Sequence, residues 1–146
     1  MQFQKILIAT DGSAVSLKAA EAGFLLASQL KASVGIVFVI DRDKELVNAD
    51  LVVTDKERWS IMLKEAEKAL TACSEKYFGN GGFTRFMPEG NPVKEILRVA
   101  REWKADLIVM GSYGRSGLSR MMTGSVADSV LRQADIPVLI FPAKAK

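Results

Sequence analysis

The stretch Lys5-Ile-Leu-Ile-Ala-Thr10-Asp11-Gly12-Ser13 decides the fold. Its first six residues are a short, apolar, β-branched run, and Asp11-Gly12 is a turn signal, so a strand over 5–10 stops there. Ser13 or Ser16 can cap the helix that follows, whose apolar side carries Leu17, Ala20, Phe24 and Ala27 at helical spacing.

The same alternation continues along the chain. Ser33–Ile40 reads as a second strand, apolar on both faces as expected beneath two layers of helices. Residues 41–53 mix charges with Leu46, Leu51, Val52 and Val53 and are expected to form a loop with at most one helical turn. Thr54-Asp-Lys-Glu57 has capping-box spacing. Trp59, Met62, Leu63, Ala66, Leu70, Cys73 and Tyr77 then mark one helical stripe, which Gly79-Asn-Gly-Gly82 stops in a left-handed turn. Phe83–Met87 is a short third strand. Asn91-Pro92 caps and opens a helix buried through Val93, Ile96, Leu97 and Ala100. Asp106–Met110 is the fourth strand, Val126, Val130 and Leu131 mark a short fourth helix, and Ile136–Phe141 is the last strand before a frayed tail. Five strands alternating with four helices predict one α/β domain over 1–146, a doubly wound and mainly parallel sheet with right-handed crossovers.

In such sheets ligands bind beyond the carboxyl ends of the strands, where the strand order reverses. Two strand ends carry suitable chemistry: Ala9-Thr10-Asp11-Gly12 and Met110-Gly111. If those strands are neighbours at the reversal, their loops wall one crevice. Gly111 and Gly114 let a sugar or phosphate approach the main chain. Nine residues on, Gly124 and Ser125 are expected at the start of the fourth helix, where free N–H groups favour an anion. Arg115 and Arg120 add charge, and Asp11 can accept from ribose hydroxyls. The plainer alternative is that the glycines only shape a turn and that Ser125 and Asp11 are helix caps. No G-x-x-x-x-G-K-[ST] occurs, and Gly111-x-x-Gly114-x-x-Gly117 is not the G-x-G-x-x-G of dinucleotide folds.

Composition excludes several classes. The chain has no histidine, which removes Ser-His-Asp and Cys-His catalysis and most zinc sites. Cys73 is the only cysteine, so no internal disulfide forms, and its place on the apolar stripe marks a small buried hydrophobe. The net charge of +3 is scattered without a run or stripe, which argues against nucleic acid. No apolar run approaches the roughly 20 residues that span a bilayer, and no signal peptide opens the chain, so neither membrane nor export is expected and the location is cytoplasmic.

Ile-Leu-Ile-Ala-Thr-Asp-Gly-Ser at 6–13 resembles the opening of the universal stress protein family. Met-Gly-Ser-Tyr-Gly-Arg-Ser-Gly-Leu at 110–118, Gly-Ser-Val-Ala at 124–127 and Pro-Val-Leu-Ile at 137–140 resemble its glycine segment and ending. The resemblance covers nearly the whole chain and implies strand order 3-2-1-4-5, with the reversal between the first and fourth strands. Members that bind ATP resemble G-x2-G-x9-G-[S/T], which Gly111, Gly114, Gly124 and Ser125 match. The resemblance implies that Ala9, Thr10, Asp11 and Val39 face adenine and ribose, that Met110 and Gly111 line the nucleoside pocket, and that Gly114, Gly124, Ser125 and Val126 hold the phosphates. ATP is then the cofactor, with an accompanying Mg left open. Tyr113 departs from the histidine of many members.

Phosphoryl transfer needs metal ligands, a positioned nucleophile and charge stabilisers, and no obvious base or second metal carboxylate stands in the segment. The expected role is a binding module that senses ATP, with slow hydrolysis at most. The alternatives are a dimeric stress-response interaction protein that does not use nucleotide, and a flavin or other nucleotide carrier. A last strand of Ile136, Val138, Leu139, Ile140 and Phe141 is a sticky edge, so a homodimer closed through it is expected, as the resemblance also implies.

Overall fold

In the computed structural model, residues 2–40, 55–79, 81–112 and 120–142 are described, with the backbone alone at 55–56 and 120–125. The loop expected over 41–53, Thr54 of the capping box, Asn80, residues 113–119 (with Tyr113, Gly114 and Arg115) and the tail lie outside the described residues.

Strands β1 (Lys5–Ala9), β2 (Ser33–Val37), β3 (Thr84–Phe86), β4 (Leu107–Gly111) and β5 (Val138–Phe141) form one sheet in the order β3-β2-β1-β4-β5. Every pairing is parallel. The helices between them are α1 (Ala14–Leu30), α2 (Asp55–Phe78), α3 (Pro92–Trp103) and α4 (Arg120–Gln133). Because side chains alternate along a strand, the sheet feeds two cores. Ile6, Ile8, Val34, Ile36, Leu107 and Val109 meet Ala20, Phe24 and Ala27 of α1 and Leu70 of α2. Leu7, Ala9, Val37, Ile108 and Met110 meet Ile96, Leu97 and Ala100 of α3 and Ala127 and Val130 of α4. Strands buried on both faces thus follow from near-continuous apolar runs.

The expected apolar stripes of α1, α2 and α3 are buried or half-buried as read, and on α4 Val126 and Val130 are, whereas Leu131, expected with them, is 52% exposed. On α1 Leu17 is half-buried, while Ala20, Phe24 and Ala27 are fully buried. The rings of Phe78 and Phe83 meet Phe24 edge-on, with centroids 6.2 and 5.7 Å away. Cys73 is half-buried against this core, and burial, with Glu21 nearby, pushes its thiol pKa up. Gly23 permits the close seating of α1, since a Cβ there would lie 2.7 Å from Ile8 Cδ1.

Element ends differ from the expectations in informative ways. The second strand was expected to reach Ile40, whereas β2 stops at Val37. Beyond it Phe38 and Ile40 still donate their N–H groups to Phe86 and Pro88 carbonyls, at 2.9 and 2.8 Å, so the extended course continues without a full ladder. Gly79 and Gly82 adopt the positive φ expected after α2. Helices α1 and α3 end on Lys31 and Lys104 in the left-handed conformation, at φ 56° and 61°, where glycine is the usual choice. Asn91 caps α3 through Lys94 N–H at 3.0 Å, with Pro92 in the first turn as expected.

Helix α4 corrects the expectation most. It begins at Arg120, so Gly124 and Ser125 lie one turn inside it and not at its start. Arg120, Met121 and Met122 are good helix formers, and a single internal glycine costs only about 1 kcal/mol, too little to end the helix there. No helix among the described residues is long and apolar enough to cross a membrane.

Candidate functional site

The strand order reverses between β1 and β4, which are paired through Ile6↔Leu107, Leu7↔Ile108 and Ile8↔Val109. Continuing that register sets Ala9 level with Met110. The turn carrying Asp11 and the segment leaving Gly111 therefore start side by side at one end of the sheet. Ala9 and Met110 are buried in the core that faces α3 and α4, and Val39 packs on the same core, half-buried. The carboxyl ends of the three central strands are thus apolar on that face, with a carboxylate at the margin.

The Asp11 turn is held by a dense set of hydrogen bonds. Ser13 N–H donates to Asp11 Oδ1 at 3.0 Å, and Gly12 N–H donates to Thr10 Oγ1 at 3.2 Å. Thr10 and Ser16 hydroxyls lie 2.8 Å apart, Ser16 Oγ donates to Ser13 carbonyl at 3.0 Å, and Asp11 N–H donates to Ser16 Oγ at 3.3 Å. Ser13, not Ser16, is the N-cap of α1, accepting from Ser16 N–H at 3.2 Å. Thr10 and Ser16 are only 6% and 4% exposed, so their hydroxyls serve the turn. Gly12 needs its glycine: its φ is +83°, and a Cβ would stand 3.1 Å from Met62 Cγ and 3.4 Å from Phe38.

The opposite wall is built against the same helix. A Cβ on Gly111 would lie 3.1 Å from Val15 Cγ1 and 3.6 Å from Ser16 Cα, so β4 ends in close contact with the first turn of α1. Among the expected site residues, the fold brings Ala9, Thr10, Asp11, Val39, Met110 and Gly111 to one end of the sheet. Gly124 and Ser125 sit within α4, followed by half-buried Val126. Gly124 and Ser125 therefore lie within the helix, where main-chain amides pair with carbonyls one turn back, and not at its start, where they were expected to be free. Among the described residues no three His, Cys, Asp or Glu side chains gather to hold a metal ion.

Sequence reasoning missed the residues behind the turn. Phe38 is buried and meets Trp59 edge-on at 5.3 Å, and with Met62 these side chains support Gly12 from the α1–α2 face. Three hydroxyl residues around Asp11, at 10, 13 and 16, were the available signal for the network. A cleft of about 220 Å³ between the ends of α3 and α4, lined in part by Arg101, Lys104, Gln133 and Asp135, opens at the amino ends of the strands and is separate from this site.

A five-stranded parallel sheet with its reversal between β1 and β4, and a polar turn at that reversal, defines a doubly wound α/β protein. The universal stress protein family profile matches residues 2–142, and the chain belongs to that family. A universal stress protein of Methanocaldococcus jannaschii is 36% identical over 143 residues, covering 94% of this chain and 81% of that one. The universal stress protein YxiE of Bacillus subtilis is 36% identical over 146 residues, covering 94% of this chain and 98% of the relative. A solved universal stress protein in complex with cAMP aligns with TM-score 0.68 and 26% identity, covering 97% of this chain and 98% of that one.

Proposed function

We propose that this protein is an ATP-binding stress-response module that holds its nucleotide in the β1–β4 crevice and hydrolyses it slowly or not at all. The observation that carries the reading is the placement of Asp11 and Gly111 at the adjoining carboxyl ends of β1 and β4, beside apolar Ala9, Val39 and Met110. That donor set suits a nucleoside: an apolar face for the base and a carboxylate for ribose hydroxyls. Thr10 contributes through its main chain, since its hydroxyl is used within the turn.

In this reading Gly114, Arg115, Gly124, Ser125 and Val126 meet the phosphates, with any Mg carried on the phosphate oxygens. Releasing the amides of Gly124 and Ser125 requires the first turn of α4 to open. The cAMP complex of a relative supports an adenine nucleotide and makes cAMP the competing ligand. Mass spectrometry of small molecules released from the purified protein is expected to find ATP. Binding unaltered by both Gly114→Val and Gly124→Ala refutes the phosphate assignment, and single-turnover hydrolysis near 1 s⁻¹, at the low end for kinases, refutes a holding role.

The same reading includes a homodimer. β5 pairs with β4 along one side only among the described residues, is wholly apolar, and leaves Leu139 38% exposed. The other edge, β3, spans three residues and carries Arg85, ion-paired to Glu67 at 2.8 Å, which discourages added strands. Antiparallel pairing of β5 with a second copy closes the open edge. The cytoplasmic location belongs to this reading and is tested by fractionation.

A further inference from the structure

We infer that Ser16 is a positioning residue for the nucleotide site: its hydroxyl holds the turn that presents Asp11, and so controls recognition of the ribose hydroxyls. The inference rests on the nucleotide reading above and adds to it a residue that makes no contact with ligand.

A serine hydroxyl has one hydrogen to donate and two lone pairs to accept with. Ser16 Oγ donates to Ser13 carbonyl at 3.0 Å. Ser16 Oγ also lies 2.8 Å from Thr10 Oγ1, a contact in which either hydroxyl can donate, and it accepts Asp11 N–H at 3.3 Å. Thr10 Oγ1 in turn accepts from Gly12 N–H at 3.2 Å. Gly12 N–H, the Thr10 and Ser16 hydroxyls and the Ser13 carbonyl are thus linked in one chain of contacts. Ser16 oxygen meets three partners within the turn and its residue is 4% exposed, so it is turned away from solvent.

Helix capping does not explain this arrangement. Ser13 already caps α1, and Ser16 serves that cap with its amide rather than its hydroxyl. The hydroxyl is left for the end of β1, where it gathers the side chain of Thr10 and the main chain of Asp11. Ser13, which Ser16 anchors by its carbonyl, is the residue whose N–H orients Asp11 Oδ1. The same helical turn touches the other wall, through Val15 and Ser16 against Gly111. Removing the Ser16 oxygen takes a hydrogen-bond partner from the buried Thr10 hydroxyl and ends the bond from Asp11 N–H. The turn then has to rearrange to satisfy them, and Asp11 moves with it.

The test compares ATP with 2′,3′-dideoxy-ATP by titration calorimetry on the full chain. The wild type is expected to prefer ATP by roughly tenfold or more, the range of a hydrogen bond to a charged group. Ser16→Ala is expected to reduce that preference to about twofold or less, mainly by weakening ATP. Ser16→Thr, which keeps the hydroxyl, restores it. Thr10→Val removes the hydroxyl that meets Ser16 while keeping the shape and is expected to lose the preference too, which covers the case in which Ser16→Ala fails to fold. A Ser16→Ala protein of lower thermal stability but wild-type preference overturns the positioning role and leaves the nucleotide reading intact. A wild type that binds both nucleotides equally overturns the role of Asp11 on which the inference depends. A wild type that binds neither refutes the nucleotide reading itself.

Discussion

Replacing Gly12 by alanine tests how the Asp11 turn is held. Two costs meet at this residue. The first is backbone conformation: φ is +83°, and an L-residue forced into the left-handed region loses about 1–2 kcal/mol. The second is crowding, because the new Cβ would lie 3.1 Å from Met62 Cγ and 3.3 Å from its sulfur. Methionine is flexible and half-buried here, so it yields by a few tenths of an ångström, and the conformational cost dominates. Gly12→Ala is therefore expected to destabilise the protein by about 1–2 kcal/mol, lowering Tm by about 3–8 °C for a chain of this size. Urea unfolding measures the difference directly. Gly12→Asn carries the same Cβ but tolerates the left-handed region better, so it is expected to lose less. If Asn is as damaging as Ala, and Met62→Ala rescues both, crowding governs the turn and the reasoning is wrong.

Other outcomes follow from the ends, edges and core of the fold. Lys104→Gly relieves a left-handed lysine at the end of α3 and is expected to stabilise by about 0.5–1 kcal/mol in urea unfolding; a loss of stability contradicts the strain. Leu139→Arg places a charge on the open β5 edge and is expected to give a monomer by light scattering while the wild type is a dimer; a monomeric wild type refutes the dimer. Cys73, with its thiol pKa raised by burial, stays protonated at neutral pH and is expected to react with iodoacetamide more slowly than a free thiol, regaining the ordinary rate in denaturant.

Most of the fold was legible because its two periods are strong. Apolar strands such as Ile6–Ala9 and Leu107–Met110 are buried on both faces, and the stripes of α1 and α2 repeat at helical spacing. What escaped notice depends on weaker or non-local terms. The glycine rule for helix ends does not find Lys31 and Lys104, because each left-handed lysine is paid for by the N–H bonds it donates to two carbonyls of the last turn. Gly124 looked like a helix boundary, yet the helix-forming residues before it carry α4 across it. At the site, Asp11 and Gly111 could be read as strand-end chemistry. The work of Ser16 could not, since its hydroxyl acts only once α1 packs beside the end of β1. Phe38, Trp59 and Met62 looked like ordinary core for the same reason: the turn they support is formed by a distant part of the chain.

Calorimetric titration of ATP into the wild type and Asp11→Asn asks whether the β1–β4 crevice holds ATP through Asp11. The substitution keeps a side-chain oxygen for Ser13 N–H and removes the charge that would accept from ribose. The expected result is saturable binding of one ATP per chain in the wild type, weakened roughly tenfold in Asp11→Asn. No binding in the wild type, or equal affinity in the two proteins, refutes nucleotide binding through Asp11.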